Sequence, residues 1–153
     1  MTKKIFQFLS LISIAAAFST VAFAQSERHT KELEISSFSG NRTINITRSG
    51  VYRLQNDLNV RTGDGIVITA PNVTLNLNGN TVSTEAEGTG RGIAVVGASG
   101  VTVKNGRVSG FNSNVMISGS TNVVAENLQI VGLGLAPNNG PTEIGLLIVN
   151  SRA

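Results

Sequence analysis

Glu85 and Glu87 lie two residues apart with Arg91 close behind them. Paired carboxylates supply the hard oxygen ligands that Ca²⁺ prefers, and an adjacent guanidinium adds an anchor for a sugar hydroxyl or carboxylate. Little else in the chain is equipped for chemistry. Its 153 residues include no Cys and a single His, against nine Asp and Glu in total. Without Cys there is neither a disulfide framework nor a thiolate metal site. The lone histidine, His29, lies in the polar stretch just after the first 24 residues, and no Ser-His-Asp set assembles convincingly around it. Asp57 and Asp64 are the only aspartates, and both fall where Asp serves ordinary turn geometry. No catalytic constellation is evident, and no cofactor is expected apart from Ca²⁺ at Glu85 and Glu87.

Whatever these residues do, a repeated unit must place them. From Gly65 the chain reads Gly-Ile-Val-Ile-Thr and then Leu75-Asn-Leu-Asn-Gly-Asn-Thr-Val82. From Gly92 it reads Gly-Ile-Ala-Val-Val and then Val101-Thr-Val-Lys-Asn-Gly-Arg-Val108. Asn114 opens a third copy that ends at Ile130, and Gly145 opens a fourth. The starts are 27, 22 and 31 residues apart, with the variation assigned to connections and the eight-residue segments aligned without a gap. A weaker copy spans Tyr52 to Val60, and Thr43-Ile-Asn-Ile-Thr47 leads into it.

Apolar residues alternate within each copy, the period of a strand with one buried side. Ile66 and Ile68 are expected inside, in line with Ile93 and Val95, Val115 and Ile117, Leu146 and Ile148. The second strands contribute Leu75 and Leu77, Val101 and Val103, Val123 and Ala125; the third contribute Val82, Val108 and Ile130. Such short strands bury nothing alone. Stacked one coil on another, about 4.8 Å apart, they enclose a continuous interior. Asn105 and Asn127 share a slot between the second and third strands, with Asn56 in the early copy and Gly79 in the Gly65 copy. The slot calls for a left-handed bend, which Asn and Gly tolerate, and stacked Asn amides bond along the axis. The plainer alternative is that Asn is simply frequent in loops.

The fold expected is therefore all-β: a parallel β-helix solenoid of four to five coils, preceded by an N-terminal signal helix. Gly65-Ile-Val-Ile-Thr, Asn72-Val-Thr-Leu-Asn-Leu-Asn-Gly-Asn-Thr-Val82 and Gly100-Val-Thr-Val-Lys-Asn-Gly-Arg-Val-Ser-Gly-Phe111 together resemble the coils of pectin-lyase-like right-handed β-helix proteins. The likeness covers residues 43 to 153. It implies a right-handed winding; for function it leaves lyases, hydrolases and adhesins open. Enzymes of that group work on the outer face of the first sheet, with Ca²⁺-binding carboxylates and a base, or with clustered Asp as acid and base. Here the corresponding outward positions are Val67 and Thr69, Ala94 and Val96, Met116 and Ser118, Leu147 and Val149. None titrates near neutrality. The apolar ladder of Val67, Ala94, Met116 and Leu147 has the character of a covered or binding surface.

The long connections after the third strands, Thr84 to Arg91 and Val131 to Ile144, are expected to stand as walls beside the short one at Ser109–Ser113. Glu85, Glu87 and Arg91 would then face Asn138, Asn139 and Glu143 across a cleft floored by Phe111, whose ring would stack on a sugar or anchor the turn. Two solvated loops carrying ordinary charge are the alternative.

Residues 1–24 form a separate object. Lys3 and Lys4 precede an uncharged stretch from Ile5 to Val21, and Ala22-Phe23-Ala24 places small residues where signal peptidase reads them. This is a secretory signal peptide cleaved after Ala24, and the competing reading is an uncleaved membrane anchor. Export to the periplasm or the exterior follows. Residues 25–42 are a polar leader or cap, and 43–153 the repeats. Without Lys3 and Lys4, twelve basic residues become ten against nine acids, leaving no basic stripe for nucleic acid or for a lipid surface after cleavage. Val149 to Ala153 falls within a coil, which suggests either a truncated chain or end-to-end association through open strand edges. The function expected is a polysaccharide-binding or adhesin-like surface module, with a short polysaccharide lyase or glycoside hydrolase as the alternative.

Overall fold

The computed structural model describes residues 32–35, 42–86, 89–132 and 144–152. These form a parallel β-solenoid of about four turns, with no helix among them. The expected signal helix lies outside the described residues. None of the described elements is a helix long and apolar enough to cross a membrane.

Alternation of branched apolar residues with Thr, Asn and Ser dictates the strands. In chain order these are β1 (Glu32–Ile35), β2 (Ile44–Ile46), β3 (Gly50–Leu54), β4 (Leu58–Val60), β5 (Ile66–Ile68), β6 (Val73–Asn76) and β7 (Thr81–Thr84). After them come β8 (Thr89–Val96), β9 (Ser99–Ser109), β10 (Phe111–Ser118), β11 (Thr121–Val131) and β12 (Ile144–Val149). One sheet stacks β2, β5, β8, β10 and β12. The other runs β1-β3-β6-β9-β7-β4, with β11 also on β9. Every pairing is parallel, so each strand bonds to its counterpart a coil away rather than to its neighbour in sequence.

The interior rows of the first sheet are the expected ones. Ile44, Ile66, Ile93, Val115 and Leu146 stand in one register, and Ile46, Ile68, Val95, Ile117 and Ile148 in the next. Ile66, Ile68, Ile93 and Val95 are wholly buried. Each such side chain contributes on the order of 1.5–3 kcal/mol of burial. Part of the 25–42 leader is itself a rung, since β1 pairs with β3 and stacks Ile35 beneath Leu54.

The second strands depart from the gapless alignment. Leu75 lies over Val103, not Val101, whereas Val82 still lies over Val108. The Gly65 coil therefore carries two additional residues at its corner, and it absorbs them by turning twice through left-handed backbone at Asn78 (φ 55°) and Gly79 (φ 81°). Leu77 is wholly buried in the space thus made. Gly106 permits this, because a Cβ there would stand 2.4 Å from Leu77 Cβ and 2.7 Å from the Asn80 carbonyl oxygen. In the next two coils the corner is tighter, and β9 and β11 pass through it as single bent strands.

Candidate functional site

Asn105 (φ 58°) and Asn127 (φ 51°) hold the left-handed backbone expected of the corner ladder. Asn127 Nδ2 donates to Asn105 Oδ1 at 3.3 Å, and Asn105 Nδ2 donates to Asn76 Oδ1 at 3.3 Å. Asn56 is not the third member. Its backbone is not left-handed, and the amide that continues the ladder belongs to Asn76. In the first coil Asn80 Nδ2 bonds to the Leu54 carbonyl, and Asp57 Oδ1 accepts from the Thr81 amide, so different side chains pin that corner.

Of the loop residues singled out from sequence, Glu85, Arg91 and Phe111 fall within the described residues. Arg91 belongs to β8, where its Nε and backbone N–H both donate to Asp64 Oδ1 at 2.9 Å and its NH2 group donates to Asp64 Oδ2. The hydrogen bond to Asp64 is the main cause holding the guanidinium above its ordinary pKa; partial burial opposes it and the Asp64 charge adds to it. Bidentate engagement leaves this guanidinium committed within the fold. Glu85 is exposed, with Arg61 Nε 3.6 Å from its Oε2. Phe111 is wholly buried in the core, so its ring anchors the turn and is not offered to a sugar. Glu87, Asn138, Asn139 and Glu143 lie outside the described residues. The suggested Ca²⁺ pair of Glu85 and Glu87 therefore rests on one described residue, and no group of three or more His, Cys, Asp or Glu able to hold a metal occurs among the described residues.

Sequence spacing did contain the Asp64–Arg91 pair. Asp64 directly precedes Gly65 and Arg91 directly precedes Gly92, so the two occupy one slot in successive coils. Arg61 and Glu85 are related similarly, one residue beyond the paired Val60 and Thr84.

No protein-family model matches the chain, and none of the curated proteins or solved structures compared with it matches it. The site is therefore read from geometry alone.

Geometry directs attention to the outer face of the five-stranded sheet. Asn45, Val67, Ala94, Met116 and Leu147 form one outward row in strict register. Val96, Ser118 and Val149 form the row beside it, and exposed Thr69 precedes them one coil earlier. No residue in either row is ionisable. At the flank, the Arg91 NH1 group reaches Met116 Sδ at 3.9 Å while the same side chain grips Asp64. Ala94 is wholly covered, whereas Val96 and Val149 are exposed. The result is a strip of aliphatic, thioether, amide and hydroxyl groups, bounded on one side by an ion pair. It presents neither an acid nor a base to a bound molecule. What it offers is dispersion contact and hydroxyl hydrogen bonding.

Proposed function

We propose that this chain is an exported, noncatalytic β-helix module that binds polysaccharide, an adhesin-like role carried by the outer face of its five-stranded sheet. One observation carries the reading: two adjacent outward rows lack any titratable side chain, and the cation beside them is spent on Asp64. Acid–base cleavage of a glycosidic bond needs two positioned carboxyl groups, and proton abstraction needs a base. Apolar C–H faces of a sugar pack instead on Val67, Met116 and Leu147, and its hydroxyls meet Thr69 and Ser118. We further infer a right-handed winding, since a crossover between parallel strands of one sheet takes that hand in nearly all proteins. The repeats' resemblance to pectin-lyase-like coils agrees with that hand, and residues 1–24 supply the export signal, cleaved after Ala24.

The test is a glycan array read twice, once for retention and once for chemical change. Retention of an intact glycan, lost in Met116→Asp, is the expected outcome. Release of unsaturated or new reducing sugar ends would overturn the noncatalytic reading and favour a short lyase or hydrolase relative.

A further inference from the structure

Across the five-stranded sheet the levels stack without offset, so the outward row from Asn45 to Leu147 runs in strict register along the solenoid. Four strand spacings separate its ends, about 19 Å. Val67, Met116 and Leu147 are half-buried, and the smaller Ala94 between the first two is wholly covered, which leaves a shallow dip at that level. In the adjacent row Thr69, Val96, Ser118 and Val149 alternate hydroxyl with aliphatic from level to level. The two hydroxyls are therefore two levels apart, roughly 9.6 Å. The side chains of Asn45, Thr69 and Ser118 form no hydrogen bond with another described residue.

A charged ligand would find no counter-ion on these rows. Arg91 is the cation at the flank, and Asp64 engages it through both carboxylate oxygens, so the pair adds no net charge to the strip. Arg48 and Arg152 are exposed, but they stand on the corners after β2 and β12, beyond both rows. A carboxylate or sulfate pressed onto the rows would lose water and gain no cation, which costs an ion far more than it costs a hydroxyl or an ether. The apolar row suits the C–H faces of pyranose rings, and the hydroxyls beside it suit their edges. In a straight β-linked chain each ring advances by about one strand spacing. Successive rings are turned over, so one kind of hydroxyl edge recurs at every second ring. Thr69 and Ser118 recur at every second level. An α-linked glucan coils instead and would leave the rows.

Resting on the polysaccharide reading above, we propose that the ligand is an uncharged, β-linked glycan with a straight, cellulose-like backbone, lying along the solenoid axis. Its ring faces cover Val67, Ala94, Met116 and Leu147, and its hydroxyl edge meets Thr69 and Ser118. Acidic polysaccharides fail on charge, and coiled α-linked chains on shape.

Affinity electrophoresis tests this, using protein expressed from the full-length sequence and gels cast with hydroxyethylcellulose, carboxymethylcellulose or amylose. The first two share a backbone and differ in charge; amylose is uncharged and differs in shape. Hydroxyethylcellulose is expected to bind about fivefold more tightly than carboxymethylcellulose, and amylose not to retard the protein. Thr69→Ala and Ser118→Ala should each weaken binding to hydroxyethylcellulose about two- to fivefold. Ser118→Lys supplies the missing cation and should turn the preference toward carboxymethylcellulose. Equal or stronger binding of carboxymethylcellulose by the wild type would overturn the uncharged class, and equal binding of amylose the straight backbone. No retardation by hydroxyethylcellulose would overturn both, and an unchanged preference in Ser118→Lys would put the glycan on another face. The polysaccharide reading itself falls only if the glycan array also retains nothing, so the two failures are told apart.

Discussion

The rung beginning at Gly92 and the rung beginning at Gly145 share one pattern, a glycine followed by four aliphatic residues, in very different surroundings. Ile93 and Val95 are wholly buried, whereas Leu146 and Ile148, in the same two rows, are about half exposed. The middle rung is covered on both sides by β5 and β10, while among the described residues β12 pairs with β10 alone. The contrast teaches that burial in this fold is a property of the neighbours a residue is given, and only secondarily of its own type. A solenoid's stability is accordingly a sum over adjacent rungs.

Paired substitutions probe the contrast. The largest difference is expected from the two glycines. A Cβ on Gly92 would stand 2.3 Å from Val108 Cγ1 and 2.5 Å from the Asn114 carbonyl oxygen, whereas one on Gly145 meets Ile130 Cγ2 at 3.4 Å. Gly92→Ala should cost about 3 kcal/mol or more, while Gly145→Ala should stay within about 0.5 kcal/mol, both measured by urea denaturation. Equal costs would mean that the two rungs are packed alike. Next in size, Ile93→Ala should cost roughly 3–4 kcal/mol and Ile148→Ala about 1 kcal/mol, because only the first leaves a closed cavity.

A smaller effect is expected from the ionic clamp at the edge of the middle rung. Asp64 lies largely covered, but the Arg91 side chain is 38% exposed, so solvent screens the pair. A double-mutant cycle of Asp64→Ala and Arg91→Met should return a coupling of about 1 kcal/mol that shrinks with added salt. A coupling near zero would show that the bond from the Arg91 backbone to Asp64 matters and its guanidinium does not. The smallest change should come from Glu126→Gln, where an exposed pair at 3.8 Å is lost; a shift beyond about 0.5 kcal/mol in thermal unfolding would contradict its solvated setting.

The inward rows of the first sheet were legible because period-two alternation leaves one choice of face, and equal spacing from each Gly sets the register. The offset of the second strands was not. Leu77 and Val103 look equivalent by counting back from Val82 and Val108, and nothing local says that Gly106 has vacated the space Leu77 fills. A void created by one coil and occupied by another is not written in either segment alone. The same limit applied to Phe111, whose aromatic ring reads equally well as a platform or an anchor until its surroundings are seen. Apolar periodicity alone makes Arg91 a loop charge; its partner Asp64 stands in the same slot one repeat earlier, a relation visible only where charged positions are aligned as well.

The parallel pairing has a consequence for the order in which the chain is made. Partnered residues are separated by as few as 19 positions, Leu33 to Tyr52, and as many as 31, Val115 to Leu146. A strand leaving the ribosome therefore has no hairpin to form and waits for roughly another full coil of synthesis. Until then it carries an unpaired edge and an uncovered apolar stripe. Growth must proceed level by level, each finished turn serving as template for the next, and the newest turn is always the one most open to a wrong strand.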